Sequence, residues 1–87
     1  MANYRIEIKP SAAREIEDVG SKQDRQRIVD RIRTLAANPR PPGYEKMAGQ
    51  ARRYRIRIGR YRVVYSIEDD ILLVLVVRVG HRKDVYR

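Results

Sequence analysis

Apolar and polar residues alternate strictly along residues 53–58, where the chain reads RYRIRI. Successive side chains of a β-strand point to opposite faces, so this alternation predicts a strand with one apolar and one cationic face. Gly59 and Arg60 follow, and glycine in the first place suits a two-residue type II′ turn. The pattern predicts a β-hairpin in which Arg57 stands directly opposite Arg62. The same register pairs the apolar positions Ile58 with Tyr61, Ile56 with Val63, and Tyr54 with Tyr65.

Two further strands are predicted outside the hairpin. Residues 4–8 alternate in the same way and predict a first strand. Residues 71–79 are apolar at nearly every position, which is typical of a strand inside the sheet with both faces covered. The second strand of the hairpin covers residues 60–67, and residues 68–70 form the turn after it.

Two helices are predicted between the first strand and the hairpin. Pro10 and Ser11 suit a first helical turn, and Gly20 is the predicted stop. Ser21, with Asp24 three residues later, resembles a capping box and opens a second helix. The core-facing stripe of this second helix, spaced at i, i+4, i+7 and i+8, consists of Ile28, Ile32, Leu35 and Ala36.

The order of these elements is β-α-α-β-β-β. This order predicts an α+β domain, with an antiparallel-dominated sheet and both N-terminal helices packed on one face. Residues 39–43 contain three prolines and a glycine and form the loop between the second helix and the hairpin. Residues 1–87 make one domain without internal repeats.

The charge balance indicates the kind of partner. The chain has 20 Lys and Arg against 11 Asp and Glu, a net charge of +9, which favours nucleic acid, an anionic membrane or an acidic protein. A membrane role needs a basic amphipathic helix with bulky apolar residues, and neither predicted helix is of that kind. Without cysteine and with a single histidine, the sequence offers no ligand cluster, so neither a metal site nor a cofactor is expected.

The sequence also predicts where the protein resides. Its first residues lack the apolar segment of a secretion signal, and the longest apolar run, 71–77, is too short to cross a bilayer. These features predict a cytoplasmic protein.

The opposed arginines of the hairpin indicate a ligand. Like charges that face each other across two strands destabilise a sheet, so stability alone does not explain Arg57 opposite Arg62. A polyanion held between the two side chains would explain the arrangement. A solvated basic surface without a ligand is the alternative.

Two segments resemble the RelE/ParE superfamily of bacterial and archaeal toxins: the hairpin YRIRIGRYRVVY at 54–65 and the ending VGHRKDVY at 79–86. The ending is similar to the RelE branch, whose members cut messenger RNA in the ribosomal A site and are held inactive by an antitoxin. The resemblance implies a RelE-like fold and a metal-independent endoribonuclease that inhibits translation. Attack by the ribose 2′-OH would leave a 2′,3′-cyclic phosphate. The implied partners are messenger RNA, the ribosome and an acidic, partly disordered antitoxin.

The resemblance also implies roles for single residues. Arg62 matches the arginine that holds the phosphate, Arg82 the arginine near the leaving oxygen, and Tyr86 the tyrosine that orients the base. His81 stands where the best-known RelE has lysine, and because histidine titrates near neutral pH it suits either proton transfer. The other cationic positions expected to bind RNA phosphates are Arg53, Arg55, Arg57, Arg60 and Lys46. Arginine keeps its proton at neutral pH, so the residue that takes the 2′ proton stays open.

Two other functions stay open. ParE-like members share the fold but inhibit DNA gyrase and lack the RNase residues, and His81, Arg82 and Tyr86 together argue against that branch. A non-catalytic module would bind RNA and leave it uncut. For single residues, the plain alternatives are an exposed histidine, a tyrosine packed on the sheet edge and a solvated arginine. Codon preference, action on free RNA and oligomeric state are not determined by the sequence.

Overall fold

One five-stranded sheet and two helices make up the computed structural model, which describes residues 3–50 and 52–81. In chain order the elements are β1 Arg5–Ile8, α1 Pro10–Glu17, α2 Lys22–Thr34, β2 Glu45–Lys46, β3 Arg53–Ile58, β4 Tyr61–Glu68 and β5 Leu73–His81. The strand order is β1-β5-β4-β3-β2, in which only β1 and β5 run parallel. The predicted α+β class and antiparallel-dominated sheet are confirmed. The short strand β2 is an addition to the predicted order.

The hairpin of β3 and β4 has the predicted register. Arg57 pairs with Arg62, and the three predicted apolar pairs also form. Gly59 has φ +58°, whereas Arg60 is not among the residues with positive φ. A positive φ at the first central position alone is the signature of a type II′ turn.

The helices differ from the prediction mainly at one end. α1 begins at Pro10 as predicted but ends at Glu17, three residues before Gly20. The helix ends early because the Val19 N–H donates to the Ile16 carbonyl in a tighter, three-residue turn. This turn directs the Val19 side chain into the core. At the start of α2 the Ser21 hydroxyl accepts the Asp24 N–H at 3.2 Å, which confirms the predicted cap.

The core lies between both helices and one face of the sheet. On α2 and in the turn that ends it, Ile28, Ile32 and Leu35 are at most 2% exposed, whereas Ala36 stays partly exposed. Burial of each such aliphatic side chain contributes about 1.5–3 kcal/mol. Tyr65 is fully buried, and its hydroxyl donates to the Pro39 carbonyl at 2.7 Å. A buried hydroxyl needs such a partner, so Tyr65 also anchors the loop after α2.

Strand β5 is covered on one face only, so the prediction of two covered faces is wrong. Val74, Val76 and Val79 are at most 1% exposed, whereas Leu73 and Leu75 on the other face are half-buried. Side chains of both helices join one core cluster on a single side of the sheet. The opposite side, here called the open face, therefore carries no described helix. Among residues 3–50 and 52–81, no helix is long and apolar enough to cross a membrane.

A β-bulge interrupts the pairing of β4 with β5. Val64 pairs with Arg78 and Tyr65 pairs with Val76, so Val77 is an extra residue on β5. Because strand side chains alternate between the two faces, one extra residue moves each later side chain of β5 to the opposite face of the sheet. Beyond the bulge, Val79 is the buried residue and Gly80 lies on the open face.

Asp69 ties together three segments at the end of the sheet away from the hairpin turn. The Tyr4 hydroxyl donates to its carboxylate at 2.6 Å, and the two terminal nitrogens of Arg40 donate at 3.2 and 2.8 Å. These bonds, chiefly those from Arg40, hold the pKa of Asp69 at about 2. The start of β1, the loop after α2 and the β4–β5 turn are thereby joined.

We expect this carboxylate to make stability depend on pH. Because the pKa of Asp69 is lower in the folded chain, its contribution is present above the pKa of an unfolded aspartate and is lost as the pH falls from about 4 to about 2. Thermal unfolding of the wild type and of Asp69→Asn should therefore converge over this range. The exposed neighbour Asp70 provides the control, because Asp70→Asn should keep the wild-type pH dependence. A constant gap between wild type and Asp69→Asn at every pH would contradict this assignment.

Candidate functional site

Four of the predicted site residues meet on the open face of the sheet. Arg53, Arg55 and Arg57 project from this face of β3, because Ile56 and Ile58 are buried on the opposite face. Strand β4 adds Arg62, the register partner of Arg57. The local alternation of the hairpin thus gathers four guanidinium groups on one surface. The set Arg53, Arg55, Arg57 and Arg62 is called the arginine cluster below.

Arg62 is buried even though it lies on the open face. It is 3% exposed, and an arginine is almost never buried to this degree without a partner of opposite charge. The Glu45 carboxylate lies 3.9 Å from Nη1 of Arg62 and 3.4 Å from Nη2 of Arg55. Strand β2 supplies this carboxylate, because Glu45 pairs in register with Arg55. The opposed arginines therefore have a counter-charge within the protein.

Glu45 is the residue that sequence reasoning missed. From the sequence alone, the opposed arginines indicated an external polyanion or, as the alternative, a solvated basic surface, and residues 44–47 show no clear pattern. One signal was present, because Glu45 is the only acidic residue between Asp30 and Glu68. A single carboxylate within so basic a stretch marks a counter-charge, although only the pairing of β2 with β3 shows which arginines it reaches.

The Glu45 carboxylate is accessible to solvent, although its arginine partners are largely buried. Its side chain is 53% exposed, whereas the side chains of Arg55 and Arg62 are 19% and 4% exposed. A phosphate group carries negative charge and accepts forked hydrogen bonds from guanidinium groups. The guanidinium groups at this place therefore suit either the internal carboxylate or a phosphate.

Gly80 leaves space beside the buried arginine. It is the register partner of Arg62 on β5, so the row Arg57, Arg62 and Gly80 ends at a position without a side chain. In the next set of paired residues on the open face, the partner of Arg55 on β4 is the buried Val64. Neighbouring strands lie about 4.8 Å apart, so the row with Gly80 is roughly 10 Å wide. The open face at this row is therefore a shallow depression bordered by arginine side chains.

His81 does not join the arginine cluster. It pairs in register with Tyr61, and the two rings meet edge to face at 5.9 Å. Tyr61 packs against the core, so the imidazole of His81 lies on the helix-bearing face. There it lines a cleft of about 440 Å³ together with Glu15 and Asp18. The bulge at Val77 causes this placement, because without the extra residue His81 would share a face with Arg62.

The remaining predicted residues are separate from the cluster or undescribed. Lys46 pairs with Tyr54, which places it on the helix-bearing side at the sheet edge. Arg60 is exposed in the turn at the tip of the hairpin. Arg82 and Tyr86 lie outside the described residues. Within the described ranges 3–50 and 52–81, no three His, Asp or Glu side chains come together as possible metal ligands.

The chemistry of the cluster suits a phosphodiester. Guanidinium groups on neighbouring strands can bind non-bridging phosphate oxygens and offset negative charge that develops during a reaction. Glu45 adds a group at the same place that can accept a proton. Cations that offset charge and one proton acceptor are therefore available on this face for a reaction at phosphorus.

Comparison with known proteins gives matches over nearly the whole chain. A family model described as the ParE toxin of type II toxin–antitoxin systems matches residues 6–86. The putative toxin RelE1 of Methanocaldococcus jannaschii is 24% identical over 87 residues, which cover 97% of this chain and 96% of that protein.

Two solved toxin–antitoxin complexes contain chains with the same fold. A chain of the Mycobacterium tuberculosis RelBE2 complex matches with TM-score 0.81 and 23% identity, over 92% of this chain and 99% of that one. A chain of the intact E. coli RelBE complex matches with TM-score 0.77 and 25% identity, over 90% and 95%. The RelE-like fold predicted from the sequence is confirmed by these matches.

Removal of Glu45 should strengthen polyanion binding. Glu45→Gln takes away the carboxylate beside Arg55 and Arg62, so the potential over the arginine cluster becomes more positive. We expect this variant to elute from a heparin column at higher salt than the wild type. Glu17→Gln, an exposed position on α1, removes the same formal charge on the other side of the sheet and should shift elution less. Equal shifts for the two variants would show that net charge alone, and not this site, governs binding.

Proposed function

The chain belongs to the RelE/ParE superfamily of type II toxin–antitoxin toxins, and on this basis we propose that it is a metal-independent endoribonuclease that cuts messenger RNA in the ribosomal A site. Cleavage there would inhibit translation, in the cytoplasm where ribosomes work. One observation carries this proposal: a nearly inaccessible arginine, Arg62, faces Arg57 on the open face and shares a carboxylate with Arg55. A toxin that only bound a protein would not need this combination of cations and a proton acceptor.

The proposed reaction is an internal transfer at phosphorus. The ribose 2′ oxygen bonds to the neighbouring phosphorus as the bond from phosphorus to the 5′ oxygen breaks. The products are a 2′,3′-cyclic phosphate and a 5′-hydroxyl. The reaction needs an acceptor for the 2′ proton, cations for the charge on the five-coordinate phosphorus, and a way to neutralise the leaving oxygen.

Arg62 and Arg57 are the proposed phosphate-binding pair. Their register pairing sets the two residues next to each other on the open face, in line with Gly80, and this supports a phosphate site shared by both. Negative charge on the phosphate oxygens increases in the transition state, so hydrogen bonds from fixed guanidinium groups strengthen there more than in the ground state. Burial restrains Arg62 in advance, which reduces the reorganisation that binding requires.

Glu45 is the proposed acceptor of the 2′ proton. Arginine cannot take this role at neutral pH, which leaves Arg55 and Arg57 as phosphate ligands. Glu45 is the carboxylate that lies beside both Arg55 and Arg62, so it is adjacent to any phosphate held by the cluster. A phosphate that takes over the arginine contacts would leave the carboxylate available to accept a proton. Arg53 extends the cationic surface along β3.

The ending of the chain supplies the other proposed roles through its resemblance to the RelE branch. Arg82 would neutralise the charge that develops on the leaving 5′ oxygen, which takes its proton from solvent. Tyr86 would orient the base. We do not assign His81 to the reaction, because its ring lies on the helix-bearing face, away from Arg62.

We propose a cognate antitoxin as the regulating partner. The two solved complexes pair RelE-type toxins with their RelB antitoxins. A net charge of +9 favours an acidic partner, and a disordered segment that folds on binding can cover a large basic surface.

ParE-like inhibition of DNA gyrase is a second candidate, because the matching family model is named for ParE toxins. Such a protein would act by binding and would not use Glu45 or Arg62 chemically. A gyrase supercoiling assay separates the two candidates. Inhibition of supercoiling without RNA cleavage would favour the ParE-like function.

Cleavage in cells should depend on the arginine cluster and on Glu45. After induced expression in a bacterium, 5′-end mapping of one messenger RNA, in translated and untranslated copies, should show cuts within codons of the translated copy alone. Arg57→Ala and Glu45→Gln should each lower cleavage by roughly 10²-fold or more, because they remove a phosphate ligand and the proton acceptor. Arg33→Ala, an exposed position on α2, is the control and should cut normally. Full activity in Glu45→Gln would exclude its role as proton acceptor.

The products should reveal attack by the 2′ oxygen. A messenger RNA with one 2′-deoxynucleotide immediately before the scissile phosphate should resist cleavage at that site and remain sensitive elsewhere. Fragments from the unmodified RNA should carry 2′,3′-cyclic phosphate and 5′-hydroxyl ends, as read by ligases specific for each end. Fragments with 3′-hydroxyl and 5′-phosphate ends would instead indicate attack by water, as in metal-dependent nucleases.

A further inference from the structure

A second cavity lies on the open face beside the arginine cluster. It has a volume of about 200 Å³, and Val64 and Val77 form its floor. Met47 and Gln50, from the connection between β2 and β3, form one wall. The cationic residues that border it are Lys9, Arg53 and Arg78. The bulge at Val77 contributes to this cavity directly, because the extra residue is one of its lining residues.

The wall of the cavity is fixed by the backbone. The Met47 N–H donates to the Arg53 carbonyl at 2.9 Å, and the Arg53 N–H donates to the Gln50 carbonyl at 3.4 Å. Gly49 and Arg52 have positive φ values of 75° and 61°, which turn the chain back sharply. The backbone of Gln50 is therefore held at the border of the cavity, and its side chain is exposed.

The cavity is close to the phosphate-binding pair but separate from it. Arg53 precedes Arg57 by four residues on one strand, which corresponds to about 13 Å. Arg55 lies between them on the same face. An RNA strand whose scissile phosphate sits on Arg57 and Arg62 can therefore place a flanking nucleotide over the cavity, with Arg55 and Arg53 along its backbone.

The lining selects a chemical class of ligand. Its floor is apolar, and the thioether of Met47 makes favourable contacts with aromatic rings. The amide of Gln50 can donate and accept hydrogen bonds at a base edge, and the three cations suit the adjoining phosphates. The described lining contains no acidic residue, although Glu15 on α1 lies 3.7 Å from Arg78. The volume is below the roughly 300–1,000 Å³ of pockets for drug-sized ligands, so it fits one base and not a whole codon.

We propose that this cavity is the subsite for one nucleobase next to the scissile phosphate, and that Gln50 sets the preference for that base. The inference rests on the proposed ribonuclease function and extends it to substrate specificity. An acidic peptide would use the cations but would leave the apolar floor and the amide without a role, which is why a nucleotide is favoured.

The test compares base preference around the cuts in wild type, Gln50→Ala and Gln50→Glu. In the 5′-end map, wild type should favour particular bases at one position flanking the cut. A good bidentate contact discriminates by roughly 5- to 150-fold, so Gln50→Ala should lose most of this preference while total cleavage falls less than about tenfold. Gln50→Glu should shift the preference towards cytosine, whose amino group donates to a carboxylate. Gln23→Ala, an exposed position on α2, is the matched control and should keep the wild-type pattern.

The outcomes separate this inference from the proposed function. Normal cutting with an unchanged base pattern in both Gln50 variants would overturn the subsite and leave the ribonuclease in place. If wild type cuts no RNA, the proposed function fails, and the subsite is then tested by fluorescence anisotropy with 2′-O-methyl trinucleotides of varied sequence. Base-selective binding that Gln50→Ala abolishes would support the subsite. Equal binding of all trinucleotide sequences would overturn it. So would a result in which substitution of Lys9 and Arg53 weakens the binding of polyglutamate but not the binding of RNA.

Discussion

The two-residue turn at Gly59 and Arg60 fixes which residues of β3 face which residues of β4. Side chains alternate along a strand, so a slip of one residue would carry the arginines into the core and expose Ile56 and Ile58. The burial of those two side chains against the helices therefore holds the arginine cluster on the open face. The stability of the core and the position of the candidate site are consequences of the same register.

That register brings two like charges together, and a carboxylate from β2 reduces their repulsion. Arg57 and Arg62 face each other, and Arg62 is almost without contact with water. A strand of only two residues is enough to place Glu45 beside Arg55 and near Arg62. Because Glu45 is itself half exposed, the carboxylate compensates the buried charge without closing the site. The arginine cluster therefore differs from a fully solvated basic surface, because Arg62 is buried and has a carboxylate nearby.

The fold alone does not decide between the branches of the superfamily, since one architecture serves toxins with different targets. On the open face, the opposed residues Arg57 and Arg62, the Glu45 carboxylate and a cavity of about 200 Å³ lie near one another, and the covered face packs against the helices. At the opposite end, Asp69 joins β1, the loop after α2 and the β4–β5 turn, so the site is built on a sheet that is fixed at its far end.

Local patterns account for what the sequence determined by itself. The alternation of RYRIRI and the following glycine specified the hairpin, its turn and its register, because both signals act over a few residues. The cap at Ser21 and the apolar stripe of α2 were specified in the same way. The superfamily, too, was evident from the hairpin and the ending.

Tertiary structure decided the features that depend on pairing between distant strands. Glu45 became part of the site only through the pairing of β2 with β3, and β5 kept one face half-exposed because both helices pack on the same side. His81 is the clearest case. The resemblance to the RelE branch suggested a role for it in proton transfer at the same site as Arg62, yet the extra residue Val77 turns its side chain to the other face. A bulge arises from the fit between two strands, so no pattern within β5 alone could reveal it.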